Sequence, residues 1–143
     1  MNGIGYRQHL RAVVAASAAP YGYTLTIWTA GAIVTHAEGV PSSLDALLLL
    51  AGAVLAFGAA GIFAFGDTTV LSPTTRPPIH VWGGMHLPSV GASILLITVL
   101  TYFVHGRLVW PLVGFTATAT YLLVVGAQFW LAAHRAHDPE PMD

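Results

Sequence analysis

The sequence predicts an all-α integral membrane protein, a polytopic four-helix bundle built from two antiparallel transmembrane hairpins. The composition is the first observation: 55% of the 143 residues are hydrophobic and only 8% are charged, whereas a soluble domain carries about 25% charged residues. The mean hydropathy of +0.70 agrees with this. The second observation is that the apolar residues fall in four long stretches, which indicates that lipid surrounds them.

Each stretch is close to the length that a helix needs to cross a bilayer. About 20 residues cross roughly 30 Å of hydrocarbon, and backbone polar groups in lipid must be satisfied within the helix. Asp45 is the one charged residue in any of the stretches. Because the first and third connections are short, each pair of spans is expected to form a hairpin. The predicted single domain has spans at 12–35, 44–65, 87–104 and 110–133, a loop at 66–86 and a tail at 134–143.

The arginines predict the orientation. Arg7 and Arg11 precede the first span, Arg76 lies between the second and third, and Arg135 follows the fourth. These four fall on one side of the membrane, and Arg107 falls on the other. Positive residues favour the cytoplasmic side, so both termini are predicted to be cytoplasmic in a multi-pass protein of the cell membrane. The abundance of Ala, Gly and Pro and the absence of lysine favour a bacterial inner membrane.

Several functional classes are disfavoured by what the sequence lacks. A net charge of −1 with no basic block argues against a nucleic-acid partner. Without cysteine there is no thiolate nucleophile, iron–sulfur cluster or thiolate zinc site. No carboxylate lies deep in a predicted span, where proton-coupled transport would use one. No catalytic motif is present, so enzymatic activity is the less favoured interpretation.

Two local signals concern single helices. Pro20 lies inside the first predicted span, where its missing N–H and its ring favour a kink. Ser42 is followed three residues later by Asp45, which is typical of a capping box. The second helix is therefore predicted to begin next to Ser42.

A run of small residues on the second span predicts close helix packing. Small side chains at every fourth position let another helix approach, which is how helices associate where lipid supplies no hydrophobic drive. The partner helix belongs either to the same chain or to another subunit. The predicted packing residues are Gly52, Ala56, Ala60 and Ala64.

Hydroxyl side chains on the third and fourth spans have two interpretations. They could line a channel for water or a small neutral solute, or they could form ordinary hydrogen bonds between helices. A single four-helix bundle has little room for a pore, so a channel would require an oligomer. The candidate pore residues are Ser89, Ser93, Thr101, Thr116 and Thr120.

The seven histidines raise the question of a metal or a haem group. His134 and His137 would share a helix face, and with loop histidines they could bind zinc, copper or nickel. The candidate metal ligands are His80, His86, His134 and His137. A haem group could lie between two imidazoles, from His36 with His105 or from His86 with His134. Interfacial histidines are commonly just half-hydrated side chains, so no cofactor is predicted.

The sequence leaves three functions open. The first is a homo-oligomeric passive channel or small-solute permease. The second is an accessory or scaffold subunit of a larger membrane complex, docking through the second span and the 66–86 loop. The third is a membrane redox module with histidine-bound metal or haem. The predicted partners are the lipid bilayer and either further copies of the chain or other membrane subunits.

Overall fold

In a computed structural model, the chain is described for residues 3–65 and 87–135, with side chains for residues 20–63 and 87–131. These ranges contain four helices and no strand, which confirms the prediction of an all-α chain with four helices. The predicted loop at 66–86 and the tail from residue 136 lie outside the described residues. The helices are α1 (Gly3–Glu38), α2 (Ser43–Phe65), α3 (Leu87–Phe103) and α4 (Val109–Arg135).

Three of the helices have bounds close to those predicted, but α1 is longer. It begins at Gly3 rather than at residue 12. The turns before residue 12 are helical although they contain polar residues, so apolar length does not reveal them. α1 continues through Pro20 as one helix. The kink at Pro20 stays a prediction.

The beginning of α2 and the end of α1 are fixed by local hydrogen bonds. The Ser42 N–H donates to the Asp45 carboxylate at 3.0 Å, and the Asp45 N–H donates to the Ser42 hydroxyl at 3.3 Å. These reciprocal bonds confirm the predicted capping box. Gly39, with φ 90°, donates its N–H to the Thr35 carbonyl and ends α1 in the left-handed conformation that favours glycine.

The helices alternate in direction along the chain. The end of α1 meets the α3–α4 connection through Glu38 and His105, and the start of α2 meets it through Asp45 and Arg107. We call this face, residues 38–45 and 104–108, the loop end. α1 and α3 therefore run towards the loop end, and α2 and α4 run away from it.

α4 is the central helix of the described bundle. It packs against α1, α2 and α3, and α1 also packs against α3. Within the described ranges the backbone of α2 approaches that of α4 alone, so the backbones of α1 and α2 do not pack against each other although only residues 39–42 join them. The α3–α4 pair matches the predicted antiparallel hairpin, whereas α2 is held by α4 instead of by its neighbour in sequence.

The buried core lies between α1, α3 and α4. Its members come from all three helices: Ala30, Val34, Ile97, Val109, Trp110, Val113 and Ala117. The buried residues that α2 adds to the bundle are small, Ala53 and Ala56 among them. Leu48 and Leu49 pack against this core, while most of the other large apolar side chains of α2 lie on the outer surface.

Two helical segments of the described chain are long and apolar enough to cross a membrane, Ser43–Phe63 in α2 and Val109–Leu131 in α4. α3 is apolar but has 17 residues. Only 17% of the most apolar window of the α2 segment is buried inside the chain, compared with 39% for α4. Most residues of this α2 window are therefore at least partly exposed, although α2 packs along α4.

Candidate functional site

α2 and α4 cross at two glycines, Gly52 and Gly114. A Cβ atom placed on Gly52 would collide with the backbone carbonyl of Pro111, and one placed on Gly114 would collide with that of Leu49. Gly52 thus faces the carbonyl of Pro111, three residues before Gly114, and Gly114 faces the carbonyl of Leu49, three residues before Gly52. Such an approach allows Cα–H···O contacts and is open only to residues without a side chain.

The predicted packing residues of α2 lie at different depths. Gly52 and Ala56 are buried and Ala60 is half-buried, while the side chain of Ala64 lies outside the described residues. The helix that Gly52 contacts is α4 of the same chain. Sequence reasoning missed its counterpart, Gly114, although Gly114 and Thr118 repeat the same four-residue spacing of small side chains.

The candidate pore residues of α3 lie inside the bundle. Ser89, Ser93 and Thr101 are all buried. The Ser93 hydroxyl donates to the Ser89 carbonyl at 2.8 Å and lies 3.5 Å from the Ala117 carbonyl of α4, and the Thr101 hydroxyl donates to the Thr98 carbonyl at 3.0 Å. Backbone acceptors therefore satisfy two of these hydroxyl groups without water. On α4, the candidates Thr116 and Thr120 are half-buried.

Replacing Ser93 by alanine is expected to lower the free energy of unfolding by less than about 1 kcal/mol, because hydrogen bonds between membrane helices average roughly 0.6 kcal/mol. Denaturant titration in detergent micelles measures this change. Ser93→Leu is the contrasting variant, since overfilling a fully buried position costs about 1–3 kcal/mol. Altered solute flux through Ser93→Ala proteoliposomes, at unchanged stability, would contradict a packing role.

Tyr23 joins α1 to both α2 and α4. Its hydroxyl lies 3.1 Å from the Thr118 hydroxyl of α4. Its ring makes edge-to-face contacts with Phe57 of α2 and Tyr121 of α4, with ring centroids 5.4 and 5.6 Å apart. One aromatic side chain therefore bridges α1 and α2 at a level where their backbones do not pack.

Two pairs of polar side chains tie the loop end together. The Glu38 carboxylate accepts a hydrogen bond from the Gly106 N–H at 2.8 Å and pairs with His105 Nδ1 at 2.9 Å. Arg107 Nε lies 3.7 Å from Asp45 Oδ1. The acidic side chains are only 15% and 16% exposed, whereas those of His105 and Arg107 are 66% and 68% exposed. The carboxylates face inward and the basic groups face outward.

The hydrogen bond with His105, followed by that from the Gly106 N–H, lowers the pKa of Glu38 below its ordinary value. The folded state thus favours the carboxylate form. This contribution to stability is fully present above the ordinary glutamate pKa of about 4.3 and is lost as the pH falls through the lowered pKa of the folded state.

Glu38→Gln is therefore expected to flatten the acid limb of the stability profile. The melting temperature of the unmodified chain should fall more steeply between pH 5 and pH 3 than that of the variant. Glu38 takes up a proton in this window, whereas glutamine at the same position does not. Melting curves recorded in the same detergent across this range compare the two chains. Parallel curves for both would contradict a role for the Glu38 carboxylate in holding the loop end.

The candidate metal ligands fall mostly outside what the structure describes. His80, His86 and His137 lie beyond the described residues, and His134 lies on α4 where side chains are not described. His105 is bonded to Glu38. Among residues with described side chains, no group of three His, Asp or Glu could hold a metal ion. The four-histidine metal site and the haem pairs stay hypotheses from the sequence.

An open groove separates α1 from α2 at the loop end. Its volume is about 940 Å³, and α4 forms its floor because the backbones of α1 and α2 both pack on α4 but not on each other. Its lining is mainly apolar and includes Ile27, Trp28, Gly31, His36, Leu49 and Trp110. Its volume is within the range of small-molecule sites in proteins.

Comparisons of the chain with protein-family models, with curated proteins and with solved structures gave no match. Function is therefore inferred from three features of the molecule itself. They are the exposed face of α2, the side-chain pairs of the loop end and the groove between α1 and α2.

Proposed function

We propose that the chain is an integral membrane protein that crosses the bilayer four times and serves as a non-catalytic accessory or scaffold subunit of a larger membrane complex. The observation that carries this proposal is the exposure of α2. α2 is the most apolar part of the described chain, and its backbone packs there against α4 alone, with a side-chain contact to α1 through Phe57 and Tyr23. Its large exposed side chains are Leu44, Leu47, Leu50, Val54, Leu55, Phe57, Ile62 and Phe63.

This exposure supports a bilayer location. The core helix of a soluble protein would be mostly buried, whereas 17% of the most apolar window of α2 is buried. An apolar surface of this extent in water would drive association. In lipid the same side chains are well solvated, and helical backbones leave no polar group unsatisfied. With four spans, the arginine distribution favours cytoplasmic positions for both termini.

The buried hydroxyl groups favour the scaffold over the permease. A permease needs polar side chains facing a water path, but Ser89 and Ser93 are fully buried and Ser93 bonds to backbone carbonyls. A channel lined by these residues would require the bundle to open. The permease remains a prediction for an oligomer whose path runs between subunits.

The outer face of α2 suits a partner helix. Leu55 and Ile62 are 66% and 77% exposed, and Gly58 lies between them on the same face. A Cβ atom at Gly58 would meet no atom within 4 Å. A small residue between two apolar ridges lets a second helix approach closely, which drives helix association in lipid. The docking surface for a partner transmembrane helix in this proposal is therefore Leu55, Gly58 and Ile62.

Purification at native abundance in mild detergent, followed by native mass spectrometry, tests this proposal. The expected result is a stoichiometric complex with another membrane protein, released by Gly58→Phe. The matched control is Gly126→Phe, another exposed helical glycine with open space at its Cβ position. A stable homo-oligomer without other subunits would contradict the scaffold function. Extraction of the chain from membranes by alkaline carbonate would contradict membrane integration.

A further inference from the structure

Both connections of the loop end present apolar side chains to their surroundings. Val40, between α1 and α2, is 93% exposed, and Leu108, between α3 and α4, is 72% exposed. Leu44, in the first turn of α2, is 47% exposed. In water such exposed loop positions would ordinarily carry polar side chains. The loop end is therefore apolar at several of its most exposed positions.

Two aromatic rings lie beside these connections, at the end of α3. Tyr102 and Phe103 are 77% and 75% exposed, and their rings pack edge to face with centroids 5.2 Å apart. Tyrosine combines an apolar ring with a polar hydroxyl group, and it is enriched where hydrocarbon meets the lipid headgroups. α3 therefore ends in side chains that suit the boundary between acyl chains and headgroups.

The carboxylates of the loop end are turned away from this surface. Glu38 accepts a hydrogen bond from the Gly106 N–H and pairs with His105, while Asp45 lies 3.7 Å from Arg107. Immersion of the loop end in lipid would thus leave neither carboxylate without a partner, which is the condition for bringing a charge close to hydrocarbon. The exposed side chains of His105 and Arg107 have apolar bodies and polar tips, so their tips can stay among the hydrated headgroups.

We infer that the loop end is immersed in the boundary between headgroups and acyl chains of the bilayer, with Val40, Leu108 and the rings of Tyr102 and Phe103 in contact with lipid. Lipid is the partner because these side chains come from both connections and from the end of α3, and they continue the exposed apolar surfaces of α2 and α3. A bilayer surrounds every side of a bundle, whereas a docked protein covers one. This inference rests on the membrane location proposed above and is independent of the scaffold function.

Depth-dependent fluorescence quenching tests the inference. The sequence contains no cysteine, so Val40→Cys and Leu108→Cys each provide a single attachment site for a nitrobenzoxadiazole fluorophore. Both positions are exposed, so the label should not disturb the core. The full chain is placed in phosphatidylcholine nanodiscs, where both faces are open to water. A nitroxide carried just below the lipid headgroup should lower the emission at both positions several-fold, and aqueous iodide should lower it little.

Leu95→Cys is the matched control, because Leu95 lies at the middle of α3 and is also exposed. Its label should respond most to a nitroxide near the end of the acyl chain. If it does, but iodide quenches the labels at Val40 and Leu108, the loop end projects into water; the inference is then overturned and the membrane location stands. Labels at Val40 and Leu108 that neither quencher reaches would show a protein cover and would also overturn it. If iodide quenches all three labels and no nitroxide lipid does, the membrane location fails as well.

Discussion

Adding one methyl group at Gly52 is expected to destabilise the chain by about 1–3 kcal/mol or more, because the new Cβ meets the backbone carbonyl of Pro111. A flexible side chain could move aside, but a helix backbone cannot. α2 must therefore shift away from α4, the one described helix that its backbone packs against. Gly114→Ala should have a similar effect through the Leu49 carbonyl. Reversible unfolding in mixed detergent micelles measures both changes.

Gly58→Ala and Gly126→Ala are matched controls on the same two helices. A Cβ atom at either position meets nothing within 4 Å. Alanine there should be neutral or should stabilise by up to about 1 kcal/mol, since it favours the helix more than glycine does. The double variant of Gly52 and Gly114 should cost less than the sum of the single variants, because one shift of α2 relieves both collisions. Four equal effects would contradict the glycine crossing.

A carboxylate at Leu95 is expected to have the second large effect. Leu95 lies at the middle of α3 and is 65% exposed. If lipid surrounds it, Leu95→Asp should cost about 2.5–3.5 kcal/mol of membrane insertion, as for aspartate at the centre of a span. In water, an exposed substitution would change stability by only about 0.5 kcal/mol. The readout is the fraction of newly made chain that resists alkaline extraction.

Two controls separate the charge from other consequences of the substitution. Leu95→Asn keeps the shape of aspartate without its charge, so it should be tolerated better. Val40→Asp places the same carboxylate in the α1–α2 connection, where Val40 is 93% exposed. It should insert normally because the loop end lies at the predicted membrane surface. Equal insertion of all three variants would show that α3 is surrounded by water.

The helices were predictable because their signals are local. Apolar length and the absence of charge located α2, α3 and α4 to within two residues at each end. The capping pair Ser42 and Asp45 located the start of α2, since the atoms involved lie three residues apart. The beginning of α1 was missed because its first turns contain Arg7 and Arg11, and such turns form helix without being apolar.

The way the helices pack was not predictable from one sequence. A glycine repeat indicates that α2 approaches another helix, but it does not identify Gly114 as the counterpart. Nor does a serine repeat distinguish a pore from a packed core. Ser93 is buried because that face of α3 packs against α4, where the Ser93 hydroxyl lies 3.5 Å from the Ala117 carbonyl. The groove exists because α2 packs on α4 rather than on α1. This arrangement depends on long-range contacts, which local sequence patterns do not indicate.

The contact between Glu38 and His105 at the loop end illustrates the same limit. Glu38 and His105 are 67 residues apart, and nothing in the spacing of either residue indicates the other. Sequence reasoning considered His105 as a haem ligand because of its residue type. In the folded chain its Nδ1 atom pairs with a carboxylate, and the Gly106 N–H completes the contact. Such a pair can be identified only from the folded chain, in which the α1–α2 and α3–α4 connections lie at the same end of the bundle.

Sedimentation velocity of the purified chain in plain aqueous buffer, after removal of detergent and lipid, tests the central claim that hydrocarbon is the solvent of α2 and its neighbours. The membrane account predicts rapid aggregation, because the exposed leucine, valine, isoleucine and phenylalanine side chains of α2 would then face water. A folded, monodisperse species under these conditions would contradict the account.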